Sequence, residues 1–564
     1  MLRGAYDEAM EQINAQLPDL RNLATRVLSW ITCARRPLTV LELQHALAVE
    51  FDSDSDDDSS SNDGSCDNEL DAENLLEPEV MVSVCAGLVT VNSDDSKTGK
   101  TGIIRLVHYT TQEYFDQTQA RWFPGAQLDI ARTCARHLSY KTFAGGRCHS
   151  LDDYVKRGAE NPLYYYAAEY WGHHTRNADT ACRDVMAFLQ LSGHVDAAAQ
   201  PLSNLNFKPS PRRMRGLHLA AHFGLQRALQ QLLLVAPPGA AAGGDPEPAV
   251  VPVDPDVRGW QDCTPLICAA KSGHESSVRL LLATGRVNVN AVDEAGGTSL
   301  LYAARNGHES VVRAILDRVD VNVETRDHFS RTPLFKACGQ GHEGVVRMLL
   351  ATGRVNINVT DSAEWTPLMV AAFWGRDGIV RMLLATEQID INARNNKGRT
   401  ALTHASVDGN EDVVRMVLAT EQVDINARDN KGNTALSHAS MDGHEDVVRM
   451  LLATEQIDIN ARDNEGNTAL SHAAMDGHEG VVRMLLAADG IDVNPEGGFP
   501  EYGLKACWTP LGLALNRGHT AVAQLLRASG GREEPITFRL AETAEKVTST
   551  VVASECSPES PITE

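Results

Sequence analysis

The 564-residue sequence predicts a mainly α-helical protein whose C-terminal half is a solenoid of stacked repeats. Two observations support this prediction: a threonine that recurs every 34 residues, and an apolar pattern that recurs around it. The threonines are Thr264, Thr298, Thr332, Thr366, Thr400, Thr434 and Thr468. A fixed period in this range is typical of architectures in which each unit packs on its neighbours. Such an array usually presents a long surface to a partner and does not enclose a substrate.

Each unit reads as two helices joined by a tight turn. Thr264 can cap the first helix of its unit, and Pro265 suits the first turn, where no amide donor is needed. Gly273 ends that helix, because a residue with positive φ is favoured there. Residues 278–282 give the second helix an apolar face. The stretch between a second helix and the next threonine, which we call the finger, predicts an extended arm and a tight turn.

The residues around each threonine form a motif that is specific enough to compare with known repeat families. Residues 332–337 read TPLFKA and residues 366–372 read TPLMVAA, which resembles the ankyrin repeat. We count about nine units between residues 213 and 530, with an insertion rich in Pro, Gly and Ala at 237–255. The last unit follows a loop that is seven residues longer than the others. A single unit cannot bury its apolar faces, so the resemblance implies an ankyrin-repeat solenoid with one continuous core.

The N-terminal third predicts a separate, smaller fold. Apolar spacing indicates a helix over 19–34, and Thr39 can cap a second helix after Pro37. A third helix is predicted at 77–84, and two short β runs at 88–91 and 103–107. Three helices followed by a hairpin fit a winged-helix module. The predicted division is a helical lead-in at 1–18, a winged-helix-like domain at 19–136, a helical connector at 137–212, repeats at 213–530 and a disordered tail at 531–564.

Several short segments of this region resemble fungal NACHT–ankyrin proteins. Residues 35–43 read RRPLTVLEL, 85–89 read CAGLV and 108–115 read HYTTQEYF, which is similar to the winged-helix region of that family. Residues 161–163 and 171–174, NPL and WGHH, resemble its helical connector. The resemblance covers about 25–530. Members of the family usually carry an NTPase module upstream, which serves as a nucleotide-driven switch in NLR-like signalling.

The sequence predicts that this NTPase module is missing. A phosphate loop reads Gly-x-x-x-x-Gly-Lys-[Ser/Thr], because its glycines let backbone amides surround the phosphates. The candidate, Gly99 with Lys100 and Thr101, has Asp94 in place of the first glycine. It also lies between two predicted strands, where we expect a hairpin tip at 97–101. We therefore predict no catalytic residue, no cofactor and no enzymatic activity.

The composition argues against a nucleic-acid partner and favours an intracellular compartment. The formal net charge of −24 argues against a nucleic-acid backbone as the main partner. Residues 51–75 hold ten Asp or Glu and no Lys or Arg, which predicts a disordered acidic loop. The eleven cysteines show no paired spacing, there is no signal peptide, and no apolar run approaches the ~20 residues that span a bilayer. We expect a soluble intracellular protein in the cytoplasm, with the nucleus as the alternative.

The histidines predict structure and not a metal site. A glycine precedes histidine at six repeat positions, which are His274, His308, His342, His444, His478 and His519. Stacked helices lie ~8–10 Å apart, whereas zinc ligands all lie ~2 Å from the metal, so we expect each of these histidines to secure a local turn. His404, His438 and His472 predict a partly buried polar stripe. His173 and His174 predict a surface or connector role.

Aromatic side chains mark the predicted partner-binding site. In ankyrin families, targets often meet the finger and the residues just before the glycine that ends the first helix. Here those places hold His328, Phe329, Arg331, Trp365, Phe373 and Trp374, whereas other units carry Asn, Lys, Asp or Ser. Binding hot spots favour exposed aromatics with arginine. The alternative is that this patch packs on the N-terminal module or on a long loop. Alanine at both Trp365 and Trp374 is expected to abolish partner capture with thermal unfolding nearly unchanged.

These observations predict a non-catalytic interaction scaffold or recognition arm for a protein partner, with no small-molecule substrate and no membrane contact. Two alternatives stay open. The chain can be the sensor portion of an NLR-like NTPase whose other half is encoded elsewhere. It can also bind DNA through the winged helix, whose hairpin carries Lys97, Lys100 and Arg105 but follows a strongly acidic loop.

Overall fold

The computed structural model describes residues 2–49, 75–92, 102–178, 182–202, 212–234, 253–498 and 507–533. The chain forms two compact units, Met1–Ala427 and Arg428–Glu564, which are described in turn. Three predicted segments lie wholly or mostly outside the described residues: the acidic loop, the insertion in the first repeat, and the C-terminal tail beyond residue 533.

The first unit begins with five helices around a small antiparallel sheet of strand order β1-β3-β2. These elements are α1 (Leu2–Asn14), α2 (Pro18–Cys33), β1 (Leu38–Thr39), α3 (Val40–Ala48), α4 (Pro78–Ser83), β2 (Val89–Asn92), β3 (Ile103–Leu106) and α5 (Tyr109–Trp122). The three predicted helices and both predicted strands are present. Sequence analysis missed β1, because two residues are too short to show the alternation that identifies a strand.

The start of α3 is fixed by two reciprocal hydrogen bonds. The Thr39 hydroxyl accepts from the Glu42 amide at 3.2 Å, and the Glu42 carboxylate accepts from the Thr39 amide at 2.8 Å. The same carboxylate pairs with the Arg36 guanidinium at 2.6 Å. A buried carboxylate is costly unless it is paired, so the Arg36 guanidinium neutralises Glu42 while the capping box orients it. Leu28, from α2, is among the fully buried residues of this core.

A group of short helices follows and packs on the first repeat. Its members are α6 (Ala126–Leu138), α7 (Leu151–Glu160), α8 (Tyr164–Ala178), α9 (Arg183–Gln190) and α10 (Ser192–Ala198). Trp171 is fully buried and meets the rings of Phe188 at 5.2 Å and Phe223 at 5.1 Å, both edge to face. A Cβ on Gly172 would lie 2.1 Å from the Phe223 ring, so only glycine allows this close approach.

Helical hairpins make up the rest of the first unit. The six pairs are α11 (Gly216–Phe223) with α12 (Gln226–Leu234), α13 (Pro265–Lys271) with α14 (Glu275–Ala283), α15 (Ser299–Arg305) with α16 (Glu309–Leu316), α17 (Pro333–Gln340) with α18 (Glu343–Ala351), α19 (Pro367–Phe373) with α20 (Asp377–Leu384), and α21 (Ala401–Val407) with α22 (Glu411–Leu418). First helices pack on first helices of the next pair, and second helices on second helices. The predicted threonine caps form; Thr332, for example, accepts from the Phe335 amide at 3.3 Å.

The second unit contains three further hairpins with the same internal order. They are α23 (Ala435–Asp442) with α24 (Glu445–Leu452), α25 (Ala469–Asp476) with α26 (Glu479–Leu486), and α27 (Pro510–Arg517) with α28 (Thr520–Ala528). Strands β4 (Gly497–Gly498) and β5 (Cys507–Trp508) pair antiparallel at the base of the extended loop. The described residues of the two units together hold the nine predicted hairpins, and the mainly helical fold is confirmed.

The histidines that follow glycine join successive hairpins, which corrects their expected role as locks of a local turn. His308 Nε2 donates to the Lys271 carbonyl at 3.1 Å, and His342 Nε2 donates to the Arg305 carbonyl at 2.9 Å. Both carbonyls belong to the preceding hairpin. The His308 imidazole also packs on Gly273 of the preceding hairpin, because a Cβ on that glycine would lie 2.7 Å from the ring. Each of these two histidines therefore sets the spacing between neighbouring repeats.

Four histidines of the connector helices and the first two hairpins have depressed pKa values; His174 and His218 are buried, and His222 and His274 are half-buried. Burial lowers the pKa of His174 to about 3, and that of His218, His222 and His274 to about 4. His174 is wholly buried within the fold, and its ring nitrogens are hydrogen-bonded to Tyr166 and Gln127 at 2.8 Å.

These depressed pKa values predict acid sensitivity. The ordinary histidine pKa is 6.5, so below that pH the unfolded chain takes up protons that the folded chain refuses. The histidine contribution to stability is complete above pH 6.5 and is lost as the pH falls towards about 4. We expect the melting temperature to fall across this window, whose upper part lies above the ordinary pKa of 4.5 for Glu and 3.8 for Asp. A flat melting temperature between pH 6.5 and 4.5, measured by calorimetry, would contradict this burial.

His137 offers a matched test by substitution. It is 1% exposed, burial lowers its pKa to about 3, and neither ring nitrogen has a hydrogen-bond partner among the described residues. His137→Phe keeps the ring between Tyr140 and Phe143 and removes the unpaired polar atoms. We expect it to raise the free energy of unfolding by about 1–2 kcal/mol in chemical denaturation. The control His174→Phe should lower it, because that substitution leaves Tyr166 and Gln127 without their bonds.

Candidate protein-binding surface

In the first unit the finger before Thr264 has Gly259 at its base, whereas a buried or half-buried Asp or Asn closes the base of the next four fingers. These residues are Asp293, Asp327, Asp361 and Asn395. The Oδ1 atom of Asp327 accepts from the amides of Phe329 and Arg331, both at 2.9 Å. Asp361 Oδ1 accepts from the Trp365 amide at 3.0 Å in the same way. This side-chain-to-backbone turn fixes the finger from its base, so the residues at its tip have a defined position.

Neighbouring fingers are also joined to one another through their main chains. The Ser362 amide donates to the Phe329 carbonyl at 2.9 Å, and the Asn396 amide donates to the Ala363 carbonyl at 3.2 Å. Backbone hydrogen bonds of this kind leave fewer free donors and hold the tips at a constant separation. Phe329 and Trp365 are therefore carried by a rigid row of turns.

The second oxygen of Asp293 and of Asp327 is paired by a side chain nine residues later. Tyr302 donates to Asp293 at 2.6 Å, and the Lys336 ammonium pairs with Asp327 at 3.0 Å. For Asp361 that position is Val370, which cannot pair. The partner is instead Arg331 of the preceding finger, whose Nε lies 3.5 Å from Asp361 Oδ2 and whose guanidinium lies 4.8 Å from the centre of the Phe329 ring.

The polar stripe predicted from three histidines belongs to the same system. His438 Nε2 lies 3.0 Å from Asp429 Oδ2, and His472 Nε2 lies 3.1 Å from Asp463 Oδ2, within the second unit. Burial raises the pKa of each carboxyl, but the histidine bond and the turn amides outweigh it and hold both pKa values below the ordinary range. The third histidine, His404, is 2% exposed.

His404 forms the floor of an aromatic cluster. The Trp365 ring stacks on the His404 imidazole with centroids 4.0 Å apart and an interplanar angle of 30°. Phe373 stands edge-on to Trp365 at 5.5 Å, and Trp374 stands edge-on to Phe373 at 5.1 Å. Trp365 and Phe373 are half-buried, whereas 56% of Trp374 is exposed. Sequence analysis named His404 only as part of a stripe, because its stacking partner lies in the preceding repeat.

The six predicted partner-binding residues divide into two groups. Phe329, 48% exposed, together with His328 and Trp374, faces solvent. Arg331, Trp365 and Phe373 lie beneath them as support and are linked through Asp361 and His404. The expectation that alanine at both tryptophans leaves unfolding nearly unchanged stays a prediction, and the stacking of the Trp365 ring on a buried imidazole argues against it at that position. We call the six residues the aromatic patch.

Two residues at the finger tips escaped sequence analysis. Gly296 and Gly398 hold the tip with φ of 75°, and Ser330 and Glu364 occupy the equivalent positions with φ of 61° and 62°. Side chains other than glycine rarely adopt this left-handed conformation, at a cost of about 1 kcal/mol or more. Apart from Asp262 in an earlier finger, these exceptions coincide with the fingers of Phe329 and Trp365. Aligning the repeats on their threonines would have shown both departures.

The described residues bear only in part on the predicted hairpin tip, and they also allow a search for metal sites and membrane-spanning helices. Lys97 and Lys100 of the predicted hairpin tip, and the candidate phosphate loop, lie outside the described residues, while Arg105 is exposed on β3. Within the described ranges, no group of three or more His, Cys, Asp or Glu could hold a metal ion. None of the helices in those ranges combines the length and apolar character needed to cross a membrane.

Two regions of the chain match known protein families. Residues 217–327, 319–395, 387–463 and 417–497 match the family described as "Ankyrin repeats (3 copies)". The chain contains ankyrin repeats. Residues 10–122 match the family described as "GPI inositol-deacylase, winged helix domain", so a winged helix of that type precedes the ankyrin repeats.

One curated relative shares part of this sequence. It is the "Azaphilone pigments biosynthesis cluster protein L" of Monascus ruber, which is 27% identical over 175 residues. The match covers 29% of this chain and 33% of that protein, so the chain spans about a third of the relative.

The two tryptophans are expected to differ in their effect on folding. Trp365→Ala removes the ring that covers His404 and should lower the free energy of unfolding by about 2–3 kcal/mol. Trp374→Ala removes an exposed ring and should change it by less than about 0.5 kcal/mol. Chemical denaturation of the two single variants measures both. Equal effects would contradict the division of the patch into support and surface.

Backbone strain at the finger tips predicts a stabilising substitution. Ser330→Gly relieves a left-handed residue without removing a contact that holds the finger, and should raise stability by up to about 1 kcal/mol. Gly398→Ser, at the equivalent position of a later finger, serves as the reciprocal variant and should lower stability. Thermal unfolding of the pair decides the point, and a stabilised Gly398→Ser variant would refute it.

Proposed function

We propose that this chain is a non-catalytic interaction scaffold whose ankyrin repeats hold a protein partner against the aromatic patch. The observation that carries the proposal is the exposure of Phe329 and Trp374 on a surface whose other units present small or polar residues. Single exposed apolar residues are common and need no explanation. Two large aromatics on adjacent repeats, with the Arg331 guanidinium 4.8 Å from the Phe329 ring, have the composition of a binding hot spot.

The rigidity of the patch supports the same function. Binding normally costs entropy when loops and side chains become ordered. Here the fingers are already fixed by Asp327 and Asp361, and Trp374 rests on Phe373, so little further ordering is required. A pre-organised aromatic surface of this kind can convert modest contact area into affinity. Internal packing against another part of the chain would instead bury Phe329 and Trp374.

The division of the chain and its compartment follow as part of this proposal. We propose a winged-helix-like domain at 19–136 and a helical connector at 137–212 that carry the repeats at 213–530. Eight cysteines have free thiols in the described part of the chain, which supports a reducing compartment such as the cytoplasm.

A second candidate function is favoured by the winged-helix match. The chain would then be the sensor portion of an NLR-like signalling NTPase, with the same patch as its recognition surface. The discriminating observation is an upstream reading frame on the same transcript that encodes a complete phosphate loop.

The proposed function predicts that substitutions of the exposed patch residues weaken partner binding without lowering the stability of the fold. The full chain carrying Phe329→Ala and Trp374→Ala should lose at least about 30-fold in affinity for a purified captured partner, since each hot spot contributes about 2 kcal/mol or more. Its melting temperature should stay near that of the wild type. Isothermal calorimetry with the full chain measures the affinity.

The matched control is Val319→Ala, which trims an apolar side chain that is 95% exposed near the start of the same finger, close to the end of α16 and outside the aromatic patch. It should bind like the wild type. Unchanged affinity in the double variant, or an equal loss in the control, would rule out the patch as the binding surface.

A further inference from the structure

Glu364, which lies next to the aromatic patch, makes no contribution to folding within the described part of the chain that would explain why a side chain is present at this position. It occupies a finger tip at φ 62°, where Gly296, Gly398 and two further repeats have glycine. Its side chain is exposed, and its carboxylate has no hydrogen bond or ion pair with any described residue. A glycine here would avoid the strain, so the side chain is kept at a cost to stability. Strained residues of this kind cluster at functional sites.

The surrounding charges give this carboxylate a distinct role. On the preceding finger Arg326 is exposed, and on the following finger Arg394 and Lys397 are exposed. Among the turn residues just before each threonine, the exposed charge therefore alternates as basic, acidic and basic, while exposed charges of both signs lie nearer the second helices. The other nearby carboxylate, Asp361, is buried and already paired with Arg331. Glu364 is thus the available anion in the middle of this short row.

Trp365 and Trp374 add a second attraction for a cation. Tryptophan faces bind ammonium and guanidinium groups, at about 0.5–2 kcal/mol depending on desolvation. Over longer distances, the net charge of −24 steers positively charged partners towards the chain. At the turn residues, the flanking arginine and lysine side chains that oppose this lie on the outer two fingers.

We infer that Glu364 is a specificity-determining residue, which selects a partner segment that presents an arginine or lysine beside an apolar side chain. The apolar side chain packs on Phe329 or Trp374, and the cation pairs with Glu364. Acidic residues on either side of the cation would match the outer fingers. This inference rests on the proposed function, because it assigns a chemistry to the partner of the same surface.

Selection of peptides from a random phage library on the immobilised full chain tests the inference. Peptides enriched on the wild type should share a basic residue next to an apolar one. A synthetic peptide of that type should bind the Glu364→Gln chain about 10-fold more weakly, because a charge pair at such a site contributes about 1.4 kcal/mol or more. Glu364→Lys should weaken binding further and enrich peptides with an acidic residue at that place.

The matched control is Glu465→Lys. Glu465 is an exposed carboxylate at the finger tip of the second unit, where the preceding repeat already has Lys431. This variant should select the same peptides as the wild type. Thermal unfolding of each variant confirms that it is folded, and Glu364→Gly provides an unstrained form that also lacks the charge.

The outcomes separate this inference from the proposed function. Enriched peptides that lose binding on Trp374→Ala but bind Glu364→Lys unchanged would overturn the role of Glu364 and leave the patch intact. A shared acidic residue in the wild-type selection would also overturn it. If enriched peptides bind Trp374→Ala as well as the wild type, the proposed function fails. Failure to enrich any peptide sensitive to Glu364→Lys counts against the inference.

Discussion

The carboxylate or amide at the base of four successive fingers in the first unit is the constraint on which the binding surface depends. The Oδ1 atom accepts hydrogen bonds from two turn amides. The second polar atom of the same side chain pairs with a side chain from the helix that follows or from a neighbouring finger. Asp327 and Asp361 hold the finger shape from below, so the identity of the tip residue is left free. Phe329 and Glu364 use that freedom, since neither is required for the turn to close. The surface can therefore change its chemistry while the repeat keeps its fold.

Support and recognition are carried by different members of one aromatic group. Trp365 stacks on His404, which makes the tryptophan part of the repeat-to-repeat packing, while Trp374 remains largely in solvent. Arg331 has a similar double position, because its guanidinium completes the pairing of Asp361 and also lies over Phe329. A residue can thus appear at a variable, partner-facing position and still contribute mainly to stability. Interpretation of substitutions in this patch requires that binding and unfolding be measured together.

Local chemistry explains why most of the fold could be predicted from the sequence. Threonine caps such as Thr332 and helix-ending glycines such as Gly273 act within a few residues, so their period alone identified the hairpins. Interactions between repeats were harder: the bond from His308 to the Lys271 carbonyl depends on the register of two hairpins and was mistaken for a local one. The patch was found by comparing equivalent positions, but its exposed and buried members could be separated only once the position of His404 was known.

Hydrogen exchange of the full chain, with and without a bound partner, tests the central claim that a rigid finger surface captures protein. Binding should slow exchange at the amides of 328–331 and 362–365 and at the end of α19, with little change at 428–533. Because the fingers are fixed beforehand by their basal carboxylates, these amides should already be partly protected in the free chain. Protection confined to the winged helix or to the second unit, with the two fingers unchanged, would contradict the account.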